Sequence, residues 1–299
     1  MSRVEAVEYT DAVCSTAWGA EPLLRRLDWR HGHHIAWRKV MGGLVGDAST
    51  GRDGWDRVSA AEPMRAYWKR VWRLTDMPYP NPMRLMLRST DPLGAAVKAA
   101  ELQGQDVADA VLRRFRERIF VDGIGPQTPD EFAAATVGVT GLDQARWRAD
   151  QARAEVAAAY QADWRETRLP NDYVRNLKHD SPMNGELKHS EGHDRYALPT
   201  VIFKGPGGEH TVAGWVGYEE YVAGLEAALP GATADPRPDP TAAEAFARWG
   251  MLTAKELAFL CGDAAQPPAD ARVHDWGDGV VYYSAAEARA RGLAAMAGA

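Results

Sequence analysis

The fold of this chain is decided by the stretch Asp11-Ala12-Val13-Cys14-Ser15-Thr16-Ala17-Trp18. Residues 4–9, before it, have the pattern of a short strand, and residues 18–27 carry apolar side chains at helical spacing. Cys14 therefore stands at the N-terminus of a predicted helix, where backbone N–H groups and the positive end of the helix dipole stabilise a thiolate. This position predicts a nucleophilic cysteine with a pKa below the ordinary value.

The second position of a dithiol redox motif is not a cysteine in this chain. That motif would place it three residues after the first, where the chain has Ala17. In a dithiol enzyme the second cysteine releases the mixed-disulfide intermediate, which alanine cannot do. The chain's other cysteine, Cys261, lies in a predicted helix near the C-terminus, and we expect it to be a small buried apolar residue. The sequence thus predicts a monothiol site at Cys14.

The composition limits the classes of protein to consider. Two cysteines in 299 residues argue against a disulfide framework, and a net charge of −6 argues against binding of nucleic acid through phosphate contacts. No run of about eighteen apolar residues predicts a membrane span, and the N-terminus lacks the features of a signal peptide. We expect a cytoplasmic protein with free thiols and with neither nucleic-acid nor membrane partners.

The order of the predicted elements indicates an interrupted α/β unit. Residues 1–59 give strand, helix and strand, which is the order of a parallel sheet with a right-handed crossover. Residues 60–167 have helical patterns and end in a long predicted helix at 142–165. We interpret residues 60–167 as an all-α insertion.

The segment after the insertion, residues 168–229, returns to a β pattern. It begins with a polar stretch, 168–195, that has no clear period and is predicted to be a long loop. The predicted elements after this loop are a strand at 198–203, a strand at 210–215 and a helix at 218–229.

The remaining residues form a linker and a small unit. The Pro-rich stretch 230–240 is predicted to be a semi-rigid linker. Residues 241–299 are predicted to form a small winged-helix-like unit with a β-hairpin at 273–283. Because this unit lacks the basic residues expected of a DNA-binding module, we favour a packing or dimerisation role, which leaves a homodimer open.

Several passages resemble the DsbA-like branch of the thioredoxin superfamily. They are Asp11–Trp18 with Glu21-Pro22 after it, Val40-Met41-Gly42-Gly43-Leu44, the helix Lys98–Gly104, and Leu198-Pro199-Thr200-Val201. The most similar subgroups are the FrnE-like oxidoreductases and the ClpXP-adaptor group, and the resemblance covers about residues 3–229.

The resemblance implies an α/β thioredoxin fold with an inserted all-α domain and a small C-terminal α+β appendage. It also implies that Pro199 is cis and faces Cys14, with the backbone before it free to bind an extended substrate as a short strand. The implied catalytic residues are Cys14, Ser15, Thr16 and Ala17. The implied substrate-binding residues are Trp18, Leu198, Pro199 and Thr200. Ala17 departs from the dithiol pattern and puts ordinary oxidase or isomerase activity in doubt.

Three histidines of the polar loop are candidates for a general base near Cys14, namely His179, His189 and His193. His189 and His193 also have the spacing of metal ligands on a helix, which the polar surroundings disfavour. Because thiolate and imidazole suit zinc or copper, Cys14 with His189 and His193 is an alternative metal site. The sequence implies no required cofactor.

These residues support alternative functions. The first is a monothiol oxidoreductase or thiol-transfer enzyme that acts on a small molecule through Cys14, with a low-molecular-weight thiol as cosubstrate. The alternative is a thioredoxin-fold adaptor that binds a client protein and delivers it to proteolysis. A further alternative is a metal-dependent catalyst that reuses the fold with cysteine and histidine ligands.

Overall fold

The structure is a computed structural model that describes residues 3–50, 52–178, 183 and 185–293. The strands are β1 (Val4–Thr10), β2 (Ile35–Met41), β3 (Lys188–Ser190), β4 (His193–Arg195), β5 (Thr200–Gly205), β6 (Gly208–Ala213), β7 (Met251–Thr253), β8 (Arg272–Asp275) and β9 (Val280–Tyr283). The helices are α1 (Ser15–His31), α2 (Ala61–Thr75), α3 (Asp91–Glu101), α4 (Gln105–Phe120), α5 (Pro129–Ala135), α6 (Gln144–Asp150), α7 (Ala154–Thr167), α8 (Asp172–Asn176), α9 (Tyr218–Ala228), α10 (Ala242–Trp249), α11 (Ala254–Cys261) and α12 (Ala285–Ala290).

The central sheet has the strand order β2-β1-β5-β6. Strand β1 pairs in parallel with β2, as the strand–helix–strand pattern predicts, and antiparallel with β5. Nearly all of β1 is buried, which is typical of a strand covered on both faces. Its side chains alternate between two clusters, because Ala6 packs with α1 and α9 whereas Tyr9 packs with Val174 and Tyr196. This sheet brings the start of α1 next to the start of β5.

The helices α2 to α7 enclose an aromatic core. Trp68, Phe115 and Trp147 are buried there, and Trp147 Nε1 donates a hydrogen bond to the Ala96 carbonyl oxygen of α3 at 2.7 Å. Among the described residues, no helix is both long and apolar enough to cross a membrane.

The prediction of one long helix over 142–165 is wrong, because α6 ends at Asp150 and α7 begins at Ala154. Trp147 and Val156 are both buried in the same core. On one continuous helix of 3.6 residues per turn these two positions would lie about 180° apart, so both could not face that core. The break between the helices allows both side chains to be buried.

The polar stretch 168–195 is not a continuous loop, because it contains helix α8 and the hairpin β3–β4. The Asn171 side chain caps α8 by accepting a hydrogen bond from the Val174 N–H at 3.1 Å. Elements of three to five residues are too short to show a hydrophobic period in the sequence.

The predicted semi-rigid linker, residues 230–240, lies against α1. Asp239 pairs with Arg26 and Arg30, and Trp29 Nε1 donates to the Pro238 carbonyl oxygen at 2.8 Å. After it, α10 and α11 pack together, and β7, β9 and β8 form a small antiparallel sheet in that order. The division of the chain into five parts stays a prediction.

A buried ion network joins α11 to the thioredoxin-like and helical parts. The Glu256 side chain is 0% exposed, and its carboxylate lies 2.9 Å from both Arg25 of α1 and Arg113 of α4. Glu21 pairs with Arg113 and Arg116. Burial alone would raise the pKa of Glu21, but the neighbouring arginines outweigh burial and hold its pKa at about 2. Glu21 is therefore ionised at neutral pH.

Replacing Glu256 with glutamine is expected to lower the free energy of unfolding by about 3 kcal/mol, because Arg25 and Arg113 then stay buried with fewer counter-ions. Glutamine can still close the capping box with Thr253, so the loss reports the charge. The matched control is Glu244→Gln in the half-exposed capping box of α10, which should change this free energy by less than about 0.5 kcal/mol. Urea unfolding measures the free energy of unfolding of both variants, and an equal loss in the two would contradict the stabilising role of the ion network.

Candidate functional site

Cys14 is the N-cap residue of α1, so its sulfur lies at the start of the helix. Its extended backbone (φ −75°, ψ 105°) leads the chain out of β1, and Sγ accepts a hydrogen bond from the Ala17 N–H at 3.4 Å. The Thr16 hydroxyl oxygen lies 3.0 Å from Sγ. Cys14 is 6% exposed and packs with Tyr9 and Leu198. The first turn of the helix thus positions the thiol, and the sheet shields it.

Leu198 faces Cys14 across the site, and the Leu198–Pro199 peptide bond is cis. The Leu198 carbonyl oxygen accepts a hydrogen bond from the Thr16 hydroxyl at 2.7 Å. The same oxygen lies 3.3 Å from Cys14 Sγ, which donates to it as a neutral thiol. Thr16 therefore uses one acceptor position of this carbonyl, and pairing of the backbone here with an extended substrate stays a prediction.

The protonation state of Cys14 differs from the sequence prediction. Burial raises the pKa of the thiol above its ordinary value and outweighs the hydrogen bonds from Thr16 and Ala17, which lower the pKa. The carboxylate of Asp11 adds to the rise and the guanidinium of Arg116 opposes it. The helix N-terminus alone predicts a thiolate, but Cys14 is a protonated thiol at neutral pH because burial is the larger effect.

Two predicted substrate-binding residues are core residues. Trp18 is 2% exposed, stacks on Phe120 and donates from Nε1 to the Pro78 carbonyl oxygen at 2.8 Å. Thr200 is 0% exposed, and its hydroxyl donates to the Ala197 carbonyl oxygen at 2.7 Å. Burial disfavours contact of these two side chains with a substrate, and their role in substrate binding stays a prediction.

A groove of about 460 Å³ opens beside Cys14. Ser15, Thr16 and Leu198 lie in its wall, whereas Ala17 and Pro199 are buried outside that wall. The apolar part of the wall includes Leu44, Val45, Met64, Tyr67, Met86 and Met183. Unbranched methionine side chains adapt to differently shaped apolar groups. The groove is therefore suited to apolar side chains rather than to one rigid shape.

The contribution of α2 to this wall was missed from the sequence. Met64, Tyr67 and Trp68 have helical spacing, which indicates a core stripe. Trp68 is indeed buried, but Tyr67 is 46% exposed beside the groove. Only the position of α2 next to the start of α1 shows that part of this stripe lines a site.

The histidines of the hairpin β3–β4 are not hydrogen-bonded to Cys14. The His189 side chain is 67% exposed, and its Nδ1 lies 3.2 Å from Asp194. His193 packs edge-on against Trp164. The described polar partners of Cys14 Sγ come from its own helix turn and from the residue before the cis proline. The prediction that His189 or His193 is a general base for Cys14 is not met by this geometry.

The alternative metal site is not assembled within the described ranges. There, no three side chains of His, Cys, Asp or Glu converge as metal ligands, and Cys14, His189 and His193 do not form such a set. His179 lies outside the described residues, so its role as a general base stays a prediction.

Solved structures of the same fold are similar to this chain at low sequence identity. A Nitrosomonas europaea protein described as a protein disulfide isomerase has a TM-score of 0.57 and 12% identity, over 75% of this chain and 97% of its own. A Streptomyces coelicolor protein described as a DsbA oxidoreductase has a TM-score of 0.51 and 17% identity, over 79% of this chain and 92% of its own. These likenesses confirm the predicted α/β thioredoxin fold with a helical insertion.

Curated relatives overturn the expectation that the partner of this chain is a small molecule. The ClpXP adapter protein SpxH of Bacillus cereus is 23% identical over 263 residues, which cover 86% of this chain and 79% of the relative. The protein of the same name from Shouchella clausii is 26% identical over 163 residues, 54% of this chain and 52% of the relative. Both are named for a protein partner, so the expectation of a small-molecule substrate is wrong.

The thioredoxin family model matches residues 8–169 of the 299 residues, which is more than half of the chain. The matched range includes the end of β1, Cys14 at the start of α1, and the helices α2 to α7. The resemblance stated from the sequence is therefore confirmed, and the chain belongs to the thioredoxin family.

Proposed function

We propose that this chain is a protein-binding adaptor that holds an apolar segment of a partner protein in the groove beside Cys14 and works with ClpXP. The observation that carries the proposal is the state of Cys14. It is a buried, neutral thiol next to the Leu198 carbonyl oxygen and the Thr16 hydroxyl, with Ala17 where a resolving cysteine would stand. The proposal includes a cytoplasmic location.

The chemistry of disulfide exchange explains why this state favours binding over turnover. The attacking species is a thiolate, so a buried thiol with a raised pKa reacts slowly at neutral pH. A mixed disulfide on Cys14 would also persist, because Ala17 cannot displace the bound partner. These residues therefore support neither the attack of a thiolate nor the release of the mixed disulfide, which are the two steps of a dithiol catalytic cycle.

The groove itself supports recognition of a protein segment. Its wall combines methionines from three separate parts of the chain, Met64, Met86 and Met183, with the exposed ring of Tyr67. Methionine-rich surfaces recognise varied apolar side chains because the thioether chain repacks at low cost. A volume of about 460 Å³ lies within the range of pockets that bury a drug-sized ligand, which is also large enough for one or two apolar side chains.

The sequence relatives also support an adaptor function. The B. cereus relative carries the name ClpXP adapter, and the matched region covers 79% of its length. The similarity therefore extends beyond the part of the chain matched by the thioredoxin model. We infer that the groove holds a client protein and that another surface of the chain contacts ClpXP.

An adaptor should control which proteins a proteolytically inactive ClpXP retains in cells that carry this chain. Deleting the chain is expected to remove at least one retained protein, and both the wild-type chain and Cys14→Ser should restore it, because serine keeps the fold without a thiol. Tyr67→Asp should fail to restore retention, since it places a carboxylate in the groove wall. Quantitative mass spectrometry of the retained proteins measures each case.

The control for this experiment is Tyr173→Asp, which changes an equally exposed tyrosine outside the groove and should behave as wild type. If Cys14→Ser gives the same retained proteins as the deletion, the thiol is required and the adaptor proposal fails. It also fails if the deletion leaves every retained protein unchanged.

The pKa of Cys14 should lie above that of a free cysteine, because burial is the largest effect on it. Alkylation rates of the Cys261→Ala chain against pH measure it. Thr16→Val should raise this pKa further by removing the hydroxyl that stabilises the thiolate, whereas Thr16→Ser should leave it near the wild-type value. A pKa below the ordinary cysteine value would show a thiolate poised for chemistry and would contradict the assignment.

A further inference from the structure

Helix α2 carries cations at its surface that no described carboxylate pairs with. Lys69, Arg70 and Arg73 form no ion pair with a described residue, although the chain as a whole has a net charge of −6. The acidic residues at the two ends of α2 are engaged elsewhere, because Glu62 pairs with Arg65 at 2.7 Å and Asp76 lies 3.4 Å from Lys255. This face of α2 is therefore an uncompensated positive surface.

The positive surface is continuous with the groove. The Arg70 guanidinium lies 5.4 Å from the centre of the Tyr67 ring, and that ring lines the groove. Tyr67, Arg70 and Leu74 follow each other along one side of the helix, and Tyr67 and Leu74 are both exposed. Arg73 lies about 9 Å along the axis from Tyr67, a distance that about three residues of an extended peptide span.

The wall of the groove also includes a cation outside α2, Arg195 of β4. Its Nε donates to Ser190 Oγ at 2.8 Å and one Nη donates to the Tyr196 carbonyl oxygen at 2.9 Å. Both acceptors are neutral, and among the described residues no carboxylate forms an ion pair with Arg195. Burial lowers the pKa of this guanidinium and outweighs the attraction of Cys14, Asp11 and Glu191, which raises it, so Arg195 is partly desolvated.

We propose that the occupant of the groove is an acidic, apolar segment of the partner protein, with an apolar side chain among the methionines and flanking carboxylates on Arg195 and on Arg70 and Arg73. This inference rests on the proposed function and adds the chemistry of the partner. A carboxylate beside Arg195 supplies a direct ion-pair partner, which no described residue provides, and its charge-assisted hydrogen bond replaces lost water. Carboxylates along α2 add attraction and orient the segment.

A protein segment fits this surface better than a nucleic acid. Phosphate recognition needs a broad basic footprint, whereas the cations here flank an apolar groove in a chain with a sequence pI of about 5.8. The Tyr67 ring also already stacks with Arg70, so one face of this aromatic group is covered. An RNA therefore serves in the test as the competing ligand.

The test uses fluorescence anisotropy with the full chain and short labelled peptides. The first peptide has two adjacent leucines flanked on both sides by glutamates, the second replaces the glutamates with lysines, and the third replaces the leucines with serines. We expect the first peptide to bind roughly ten-fold more tightly than either of the others, and its affinity to fall as salt is added. A labelled single-stranded RNA is measured in parallel.

Variants assign the binding to these cations. The double variant Arg70→Glu/Arg73→Glu should weaken binding of the first peptide roughly ten-fold, because each attraction becomes a repulsion, and Arg70→Lys/Arg73→Lys should bind as wild type. The matched control is Arg289→Glu, since Arg289 is also exposed, lacks an ion pair to described residues and lies in the last turn of a helix, as Arg73 does. It should leave the affinity unchanged.

Equal affinity for the glutamate and lysine peptides, or no binding of the glutamate peptide, would overturn this inference. Tighter binding of the RNA than of the glutamate peptide, or equal effects of the α2 double variant and Arg289→Glu, would overturn it as well. The retention experiment tests the proposed adaptor function separately from the chemistry of its client. If the retention of proteins by inactive ClpXP still depends on the chain and on Tyr67 but not on Cys14, the adaptor stands and only the acidic character of its client is wrong.

Discussion

The hydrogen bonds that meet at the Leu198 carbonyl oxygen determine what this site can do. The Thr16 hydroxyl and the Cys14 thiol both point toward this oxygen, at 2.7 and 3.3 Å. Ionising Cys14 would bring a negative sulfur next to a partly negative oxygen and would require Thr16 to turn its proton from the carbonyl to the sulfur. The neutral thiol avoids both costs. The same arrangement engages the Leu198 carbonyl within the site, and the side chains of the groove supply the apolar contacts that we propose for recognition.

This arrangement depends on elements far apart in the sequence. Arg116 of α4 donates to Thr10 and to the Asp11 carbonyl oxygen, and it pairs with Glu21 in α1. The helical part thereby fixes the turn that carries Cys14. Glu21 in turn shares Arg113 with Glu256, so the C-terminal unit is tied to the same ions. The groove is a product of the whole chain rather than of the thioredoxin-like part alone.

The sequence predicts much of this fold because local patterns there agree with the tertiary structure. Strands β1 and β2, helix α1 and the helical block are recognisable from period and spacing. The break between α6 and α7 is not, since it arises because Trp147 and Val156 face one core. The state of Cys14 is also hidden, because its shielding partner Leu198 is 184 positions away. The helix start shows the effect of the dipole on the thiol, whereas its burial depends on the tertiary structure. The role of Tyr67 in the groove wall is hidden for the same reason, because it depends on where α2 packs in the tertiary structure.

A buried, neutral Cys14 should be a poor nucleophile, and its exchange rate with glutathione disulfide at neutral pH shows whether it is. Mass spectrometry can follow the mixed disulfide on the Cys261→Ala chain, in the folded state and in denaturant. We expect the folded chain to react roughly ten-fold or more slowly than the unfolded chain, because folding buries the thiol and raises its pKa. A folded chain that reacts faster than the unfolded one would show an activated thiolate and would contradict a binding role without thiol chemistry.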